Sequence, residues 1–210
     1  MTFLDFQKRF ADLPILSVVE VEKAFPGFDR NALTRWQQAG HLEKIRNGRY
    51  RFANRPISGE AELFFIANQI YAPSYISLQS ALSWHGFIPE GVFTVTSVTT
   101  LKTQIFSTPA GSFAFRTLKP DLFFGYRMEN FGAFRFKIAD PAKTFLDLLY
   151  LSPNLDSDDH FHELRLNFFE VGEKLDPAVF NQYLSVFKSK TLEKRAKSFI
   201  NYLQANDVAR

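Results

Sequence analysis

Apolar side chains recur at helical spacing over residues 3–13, where Phe3, Phe6, Phe10 and Leu13 share a face and Pro14 closes the segment. A second helix is predicted from Ser17, which forms a Ser-x-x-Glu capping box with Glu20 ahead of the stripe Val18, Val21, Phe25. Pro26-Gly27-Phe28 is a breaker. Asp29 is placed to cap a third helix over about 30–39, and Gly40 to close it. At ~100° per residue, Ala32, Leu33, Trp36 and Ala39 fall inward, while Arg30, Asn31, Thr34, Arg35 and Gln38 fall outward. Two short helices across a tight turn predict a helix-turn-helix.

Residues 42–52 then change period from helical to alternating. Asn47-Gly48 is a two-residue hairpin turn, because both positions favour positive φ. Counting outward from it sets Arg46 opposite Arg49, Ile45 opposite Tyr50 and Lys44 opposite Arg51. One face would carry Glu43, Ile45, Tyr50 and Phe52, and the other Lys44, Arg46, Arg49 and Arg51. Four like charges on one ribbon face repel, which an external polyanion would relieve. A helix-turn-helix followed by a basic hairpin is the winged-helix layout. The plain alternative is an amphipathic helix and a solvated or protein-docking hairpin.

Beyond a connector at 53–58 the pattern changes again. Helices are predicted at 60–71 and 77–84, and strands near 93–99, 103–107, 112–118, 122–127 and 134–138. Asp140-Pro141 opens a further helix, and 158–169 and 177–205 read as helical. The expected fold class is α+β: a winged helix-turn-helix over 1–56, then a larger α+β domain over 57–210 with a mostly antiparallel sheet and C-terminal helices.

Charge sharpens this division. The 210 residues carry a net +3, but residues 1–56 hold ten Lys/Arg against six acids, a net +4, and the remainder holds 15 against 16. That asymmetry points to a polyanion-binding module beside a near-neutral partner. An exposed stacking platform for RNA is not evident. With 46% hydrophobic residues and 25 phenylalanines, a sizeable aromatic core is expected. The absence of cysteine excludes disulfides and thiolate zinc sites and fits a reducing cytoplasm. No secretory pattern or membrane-length apolar run is visible, so a soluble, cytoplasmic protein without membrane partners is expected.

Catalytic chemistry finds little support. His85 sits at a helix end with no nucleophile or acid at a recognisable spacing, and reads as a core or capping histidine. His160 and His162 lie about 200° apart on a helix, so one ion cannot readily take both. Gly125 is a lone turn or bulge glycine. Asp140 and Asp147 share a helix face, the first as a cap. No catalytic, metal or cofactor site is expected. The basic stretch Lys188, Lys190, Lys194, Arg195 and Lys197 reads as a solvated face or as a docking surface for DNA or an acidic partner.

Four stretches carry a family resemblance: Ala72 to Glu90 (APSYISLQSALSWHGFIPE), Val95 to Thr100, Phe124-Gly125-Tyr126, and Pro141 to Leu151. Together they resemble the AbiEi-type antitoxins of type IV toxin–antitoxin systems, over roughly residues 1–170. Residue 84 is Trp where much of that family carries Tyr, and residue 79 is Gln where Glu is common. The resemblance implies a phage-resistance antitoxin that represses its own operon. Its winged domain would bind inverted repeats in double-stranded DNA of its promoter, through Arg30, Asn31, Thr34, Arg35, Gln38, Lys44, Arg46, Asn47, Arg49 and Arg51 if the residue reading above holds. Its second domain would counteract a cognate nucleotidyltransferase-like toxin without needing a stable complex. A stand-alone winged-helix regulator stays open, as does an enzyme or interaction domain localised by a basic hairpin. Cooperative monomers and a dimer with half-sites about one turn apart are both allowed.

Overall fold

A computed structural model describes residues 2–207. Its first part is built from α1 (Phe3–Phe10), β1 (Leu16–Ser17), α2 (Val18–Ala24), α3 (Asn31–Gln38), β2 (Leu42–Arg46) and β3 (Arg49–Phe52). The three strands form an antiparallel sheet in the order β1-β3-β2. The expected caps are in place. Ser17 Oγ accepts from the Glu20 N–H at 3.1 Å, while Glu20 returns a carboxylate to the Ser17 N–H at 2.9 Å. The helices and sheet close on a small core of Phe6, Phe10, Leu16, Val21, Leu33, Leu42 and Phe52. Phe3, Phe28 and Trp36 pack on its margin, with Trp36 centred 4.7 Å from Phe6.

The larger part follows as α4 (Glu60–Ile70), β4 (Ser74–Ile76), α5 (Leu78–Trp84), β5 (Thr94–Thr99), β6 (Gln104–Thr108), β7 (Gly111–Thr117), a 3-10 turn at Pro120–Leu122, β8 (Tyr126–Phe131), β9 (Phe134–Ala139), α6 (Pro141–Leu151), α7 (Asp158–His162), α8 (Phe168–Lys174), α9 (Pro177–Phe187) and α10 (Lys190–Asp207). The chain is therefore an α+β protein: N-terminal helices with a small antiparallel sheet, then a six-stranded sheet and C-terminal helices.

The large sheet is mixed, where a mostly antiparallel one was expected. Its order is β6-β7-β5-β4-β9-β8, and β5–β7 and β4–β9 are parallel pairs. Burial explains the order. β7 carries Phe113 and Phe115, both fully buried, and needs a neighbour on each side. β6 leaves Gln104, Ile105 and Ser107 exposed and lies at the edge. Two predicted helices are each split. Arg165 adopts φ 52° between α7 and α8, and Lys188 adopts φ 47° as the left-handed cap ending α9. The predicted strand at 122–127 is a 3-10 turn followed by the start of β8. No helix among the described residues is long and apolar enough to cross a membrane.

The two parts share an interface. Ile15 and Ile45 belong by sequence to the first part but are buried in the core of the second, only 6% exposed each. Arg55 pairs with Glu62 of α4, whose side chain is fully buried.

Candidate nucleic-acid interface

The helix pair α2–α3 is fixed at its ends by local chemistry. Asp29 Oδ1 accepts from the Asn31 N–H at 2.9 Å, so Asp29 caps α3 even though the regular turns begin two residues on. At the other end Gly40 takes φ 75°, and the His41 N–H reaches the Trp36 carbonyl at 2.9 Å, a Schellman-type closure that a side chain at residue 40 would strain. Ala32 and Leu33 are buried and Trp36 is half-buried, whereas Ala39, expected to face inward, is exposed at the helix end.

Arg30, Asn31, Thr34, Arg35 and Gln38 all lie exposed on the outer side of α3. Two of them have acidic neighbours: Arg30 pairs with Glu22 of α2 at 2.5 Å, and Arg35 with Asp29 at 3.1 Å. The Asp29 carboxyl is held below its ordinary value by the Asn31 N–H first and by Arg35 second. These pairs are solvent-exposed, a setting in which ion pairs contribute about 0–1 kcal/mol. Incoming phosphates can exchange with the carboxylates at little cost.

The hairpin departs from its expected register. Arg46 does face Arg49 across Asn47-Gly48, but Ile45 is bulged out of the ladder, so Lys44 faces Tyr50, Glu43 faces Arg51 and Leu42 faces Phe52. The bulge drops Ile45 into the larger core. Beyond it every side chain changes partner, which undoes the predicted four-cation face. Arg51 is 5% exposed, paired with Glu43 at 3.2 Å and donating to the Arg55 carbonyl.

Arg46 and Arg49 also turn to the protein. Arg46 donates to the Ile70 carbonyl, and its guanidinium lies 4.8 and 4.6 Å from the ring centroids of Tyr71 and Phe106. Arg49 Nε donates to the Gln69 carbonyl at 3.2 Å. Both acceptors are in the last turn of α4, where carbonyls lack helical partners and the helix dipole is negative. The hairpin tip is held from a second side by the Val18 N–H, which donates to the Gly48 carbonyl at 3.0 Å. Lys44 and Asn47 alone of the predicted hairpin set stay exposed. Like-charge crowding is thus relieved within the chain, and the expectation that an external anion must do so is corrected.

Two features outside this surface have chemistry of their own. On α6, Asp140 caps as expected, accepting from the Lys143 N–H at 2.8 Å. Lys143 and Asp147 pair one turn apart, both fully buried. Tyr75 and Ser77 each donate to Asp147 Oδ2 at 2.8 Å, and Lys143 Nζ lies 2.9 Å from the Tyr75 hydroxyl. Burial drives the Tyr75 hydroxyl well above its ordinary value, and also pushes Asp147 up and Lys143 down. Sequence reasoning missed this quartet. Its one local signal was the i,i+4 pair Lys143 and Asp147, and the other half comes from about 70 residues earlier, Tyr75 on β4 and Ser77 just after it, at the start of α5. Having no solvent-exposed member, it ties α6 to β4 and is closed to a substrate. His85 is also buried, with Nε2 2.8 Å from the Ala139 carbonyl, and desolvation holds its imidazole below 6.5.

His160 meets Ser157 and Asp156, His162 is exposed, and no group of three or more His, Asp or Glu able to hold a metal gathers among the described residues. Lys190, Lys194 and Lys197 are exposed on α10. Arg195 donates to the Leu149 carbonyl, and Lys188 lies before that helix. No family model matches the chain, and no curated protein matches it.

Proposed function

We propose that the chain is a DNA-binding transcriptional regulator whose residues 1–56 form a winged helix-turn-helix, with α3 as the helix that reads the major groove. One observation carries this reading. α3 is locked to the small core by Leu33, with Trp36 packed against it, and on its opposite side it presents Arg30, Asn31, Thr34, Arg35 and Gln38 to solvent. Those residue types bond base edges and phosphates. Lys44 and Asn47 extend the surface along the hairpin as phosphate contacts, while Arg46, Arg49 and Arg51 hold the hairpin in place. The wider role proposed is that of an antitoxin of a type IV system. It would repress its own promoter at inverted repeats and counteract a nucleotidyltransferase-like toxin without a stable complex. Support for that role is the resemblance of the Ala72 to Glu90 stretch and its companions.

The test has two arms. Fluorescence anisotropy with the DNA upstream of the chain's own operon should show sequence-preferring binding that Asn31→Ala and Arg35→Ala abolish or redirect. Co-expression with the neighbouring reading frame should relieve its toxicity. Duplex binding without relief would leave a stand-alone regulator, and absence of any duplex binding would refute the reading.

A further inference from the structure

Strands β4 and β9 share register only at Ile76 and Ile138. One residue earlier on β9, the Lys137 N–H is taken not by β4 but by Asn68 Oδ1 of α4, at 2.5 Å. Only the oxygen of an amide can accept from an N–H, so this bond fixes which way the Asn68 side chain lies and commits Nδ2 as a donor. Asn68 Nδ2 is buried and has no hydrogen-bond partner among the described residues. The same holds for Ser74 Oγ on β4, a residue only 3% exposed. Buried polar groups are nearly always satisfied, and of the four side-chain atoms without a partner among the described residues (Arg51 Nε, Asn68 Nδ2, Ser74 Oγ and Ser97 Oγ) two belong to residues beside one recess, where side-chain rotation would be needed to expose them.

Both residues line a cavity of about 250 Å³, together with Gln69, Met128, Arg135 and Lys137. Arg135 and Lys137 alternate along β9 with Phe134, Phe136 and Ile138 and so project to the same side of the strand. Neither forms an ion pair among the described residues; Lys137 Nζ instead lies 5.2 Å from the Tyr126 ring centroid. No carboxylate lines the cavity. The other cation-bearing recesses differ. Beside His85, Arg127 is paired with Glu129 and Lys174 with Glu170, and at the hairpin tip Arg46 is held by the Ile70 carbonyl, which leaves Lys44 as the single cation of that recess without a partner among the described residues.

We infer that this cavity is a binding site for a small phosphate-bearing ligand, held between Arg135 and Lys137. Two cations without acidic partners, in a recess that no carboxylate lines, suit a dianion with several acceptor oxygens better than a carboxylate with one charge and two, and Ser74 and Asn68 beside them could turn to donate once a ligand is bound. The volume is below that of ordinary cofactor pockets, which limits the ligand to inorganic phosphate or a compact phosphate monoester. No residue of α3 lines the cavity, so the site stands independently of the DNA-binding reading.

Titration calorimetry of the full chain with inorganic phosphate, against chloride at constant ionic strength, is the direct test. One saturable site is expected, with a melting temperature that rises with phosphate. Arg135→Gln changes an exposed side chain and should leave the fold intact. Combined with Lys137→Gln it should weaken phosphate binding by at least about tenfold, the change expected on losing a charge-assisted hydrogen bond. Ser74→Ala should raise the melting temperature in chloride, because it removes an unpaired hydroxyl, yet diminish the further rise that phosphate brings. No saturable binding in the millimolar range would overturn the assignment, as would equal binding by the double variant. So would a double variant that binds phosphate normally but loses affinity for duplex DNA in phosphate-free buffer, since the cations would then serve the nucleic-acid backbone.

Discussion

Lys143 and Asp147 show how a single buried pair constrains a fold. Each has lost its water and is compensated by the other and by Tyr75, Asp147 also by Ser77 and Lys143 also by the faces of Phe124 and Phe187, 5.1 Å away. Removing one partner leaves a buried charge stranded, a change that costs about 3–5 kcal/mol, whereas apolar replacement of both is often neutral. Asp147→Ala should therefore lower the urea midpoint sharply, and Lys143→Met with Asp147→Leu should recover much of the loss. Equal destabilisation by the single and double changes would refute the account. His85 makes a second prediction. Its folded imidazole is held below 6.5 by desolvation, so as pH falls the unfolded chain takes up the proton first. The stability it contributes is complete above pH 6.5 and is lost as pH drops through the folded value. Denaturation midpoints measured from neutral pH to about pH 5 should fall less steeply for His85→Gln than for the parent. His85 was legible as a core or capping histidine, though not its partner, the Ala139 carbonyl. The i,i+4 pair is a common surface feature, and only packing makes Lys143 and Asp147 buried.

At the scale of elements, the helices of the first part were readable because their signals lie within a few residues. The Ser17–Glu20 box, the Asp29 cap and the Gly40 closure are all observed. The hairpin itself was equally readable, but its register was not. The bulge places Ile45 in a core that the hairpin does not contain, and no pattern within residues 42–52 encodes that reward. Strand β4 escaped notice because Ser74, Tyr75 and Ile76 are all buried and show no alternation. The splits at Arg165 and Lys188 escaped notice because residues other than glycine rarely adopt positive φ.

Function divides the same way. Arg46→Ala with Arg49→Ala should lower thermal stability and raise amide exchange at the end of α4, with little change in the salt dependence of DNA binding. Lys44→Ala should flatten that dependence by about one phosphate contact. The reverse pattern would return the arginines to the proposed DNA surface. Asn31→Ala should change preference among duplexes and not merely weaken all of them, which competition among operator variants would reveal.

The molecule as a whole is less divisible than its charge pattern suggests. Ile15 and Ile45 pack in the larger core, Arg46 and Arg49 hold the end of α4, and Arg55 neutralises the buried Glu62. A chain beginning near residue 57 would lose all five. It would expose the surface that Ile15 and Ile45 cover and leave Glu62 without its cation. Such a fragment should melt well below the full chain and tend to self-associate, as scanning calorimetry and size-exclusion chromatography would show. Equal melting temperatures would mean that the two cores are energetically independent. The positive excess of residues 1–56 is also presented only in part. Arg51 and Arg55 are paired with Glu43 and Glu62, and Arg30 and Arg35 with Glu22 and Asp29, so long-range attraction of a polyanion falls chiefly to Lys44, to Arg46 and Arg49, whose carbonyl partners carry no charge, and to the remaining surface cations.

Residue order alone determined the α+β class, the Ser17–Glu20, Asp29 and Gly40 helix ends, the Asn47-Gly48 turn, the outward polar face of α3 and the concentration of positive charge near the N-terminus. Each depends on backbone preference or side-chain period across a few neighbours, or on simple counting. Tertiary structure alone decided which way the arginines of the hairpin turn, the mixed order of the large sheet, the sealed Lys143–Asp147 quartet and the cation-lined cavity between β4 and β9. Those depend on partners some 20 to 70 positions apart, as Arg49 with Gln69 and Tyr75 with Asp147, or Asn68 with Lys137. Local periodicity cannot supply such pairings, because they form only when elements distant in the chain pack together and their buried polar groups must find partners.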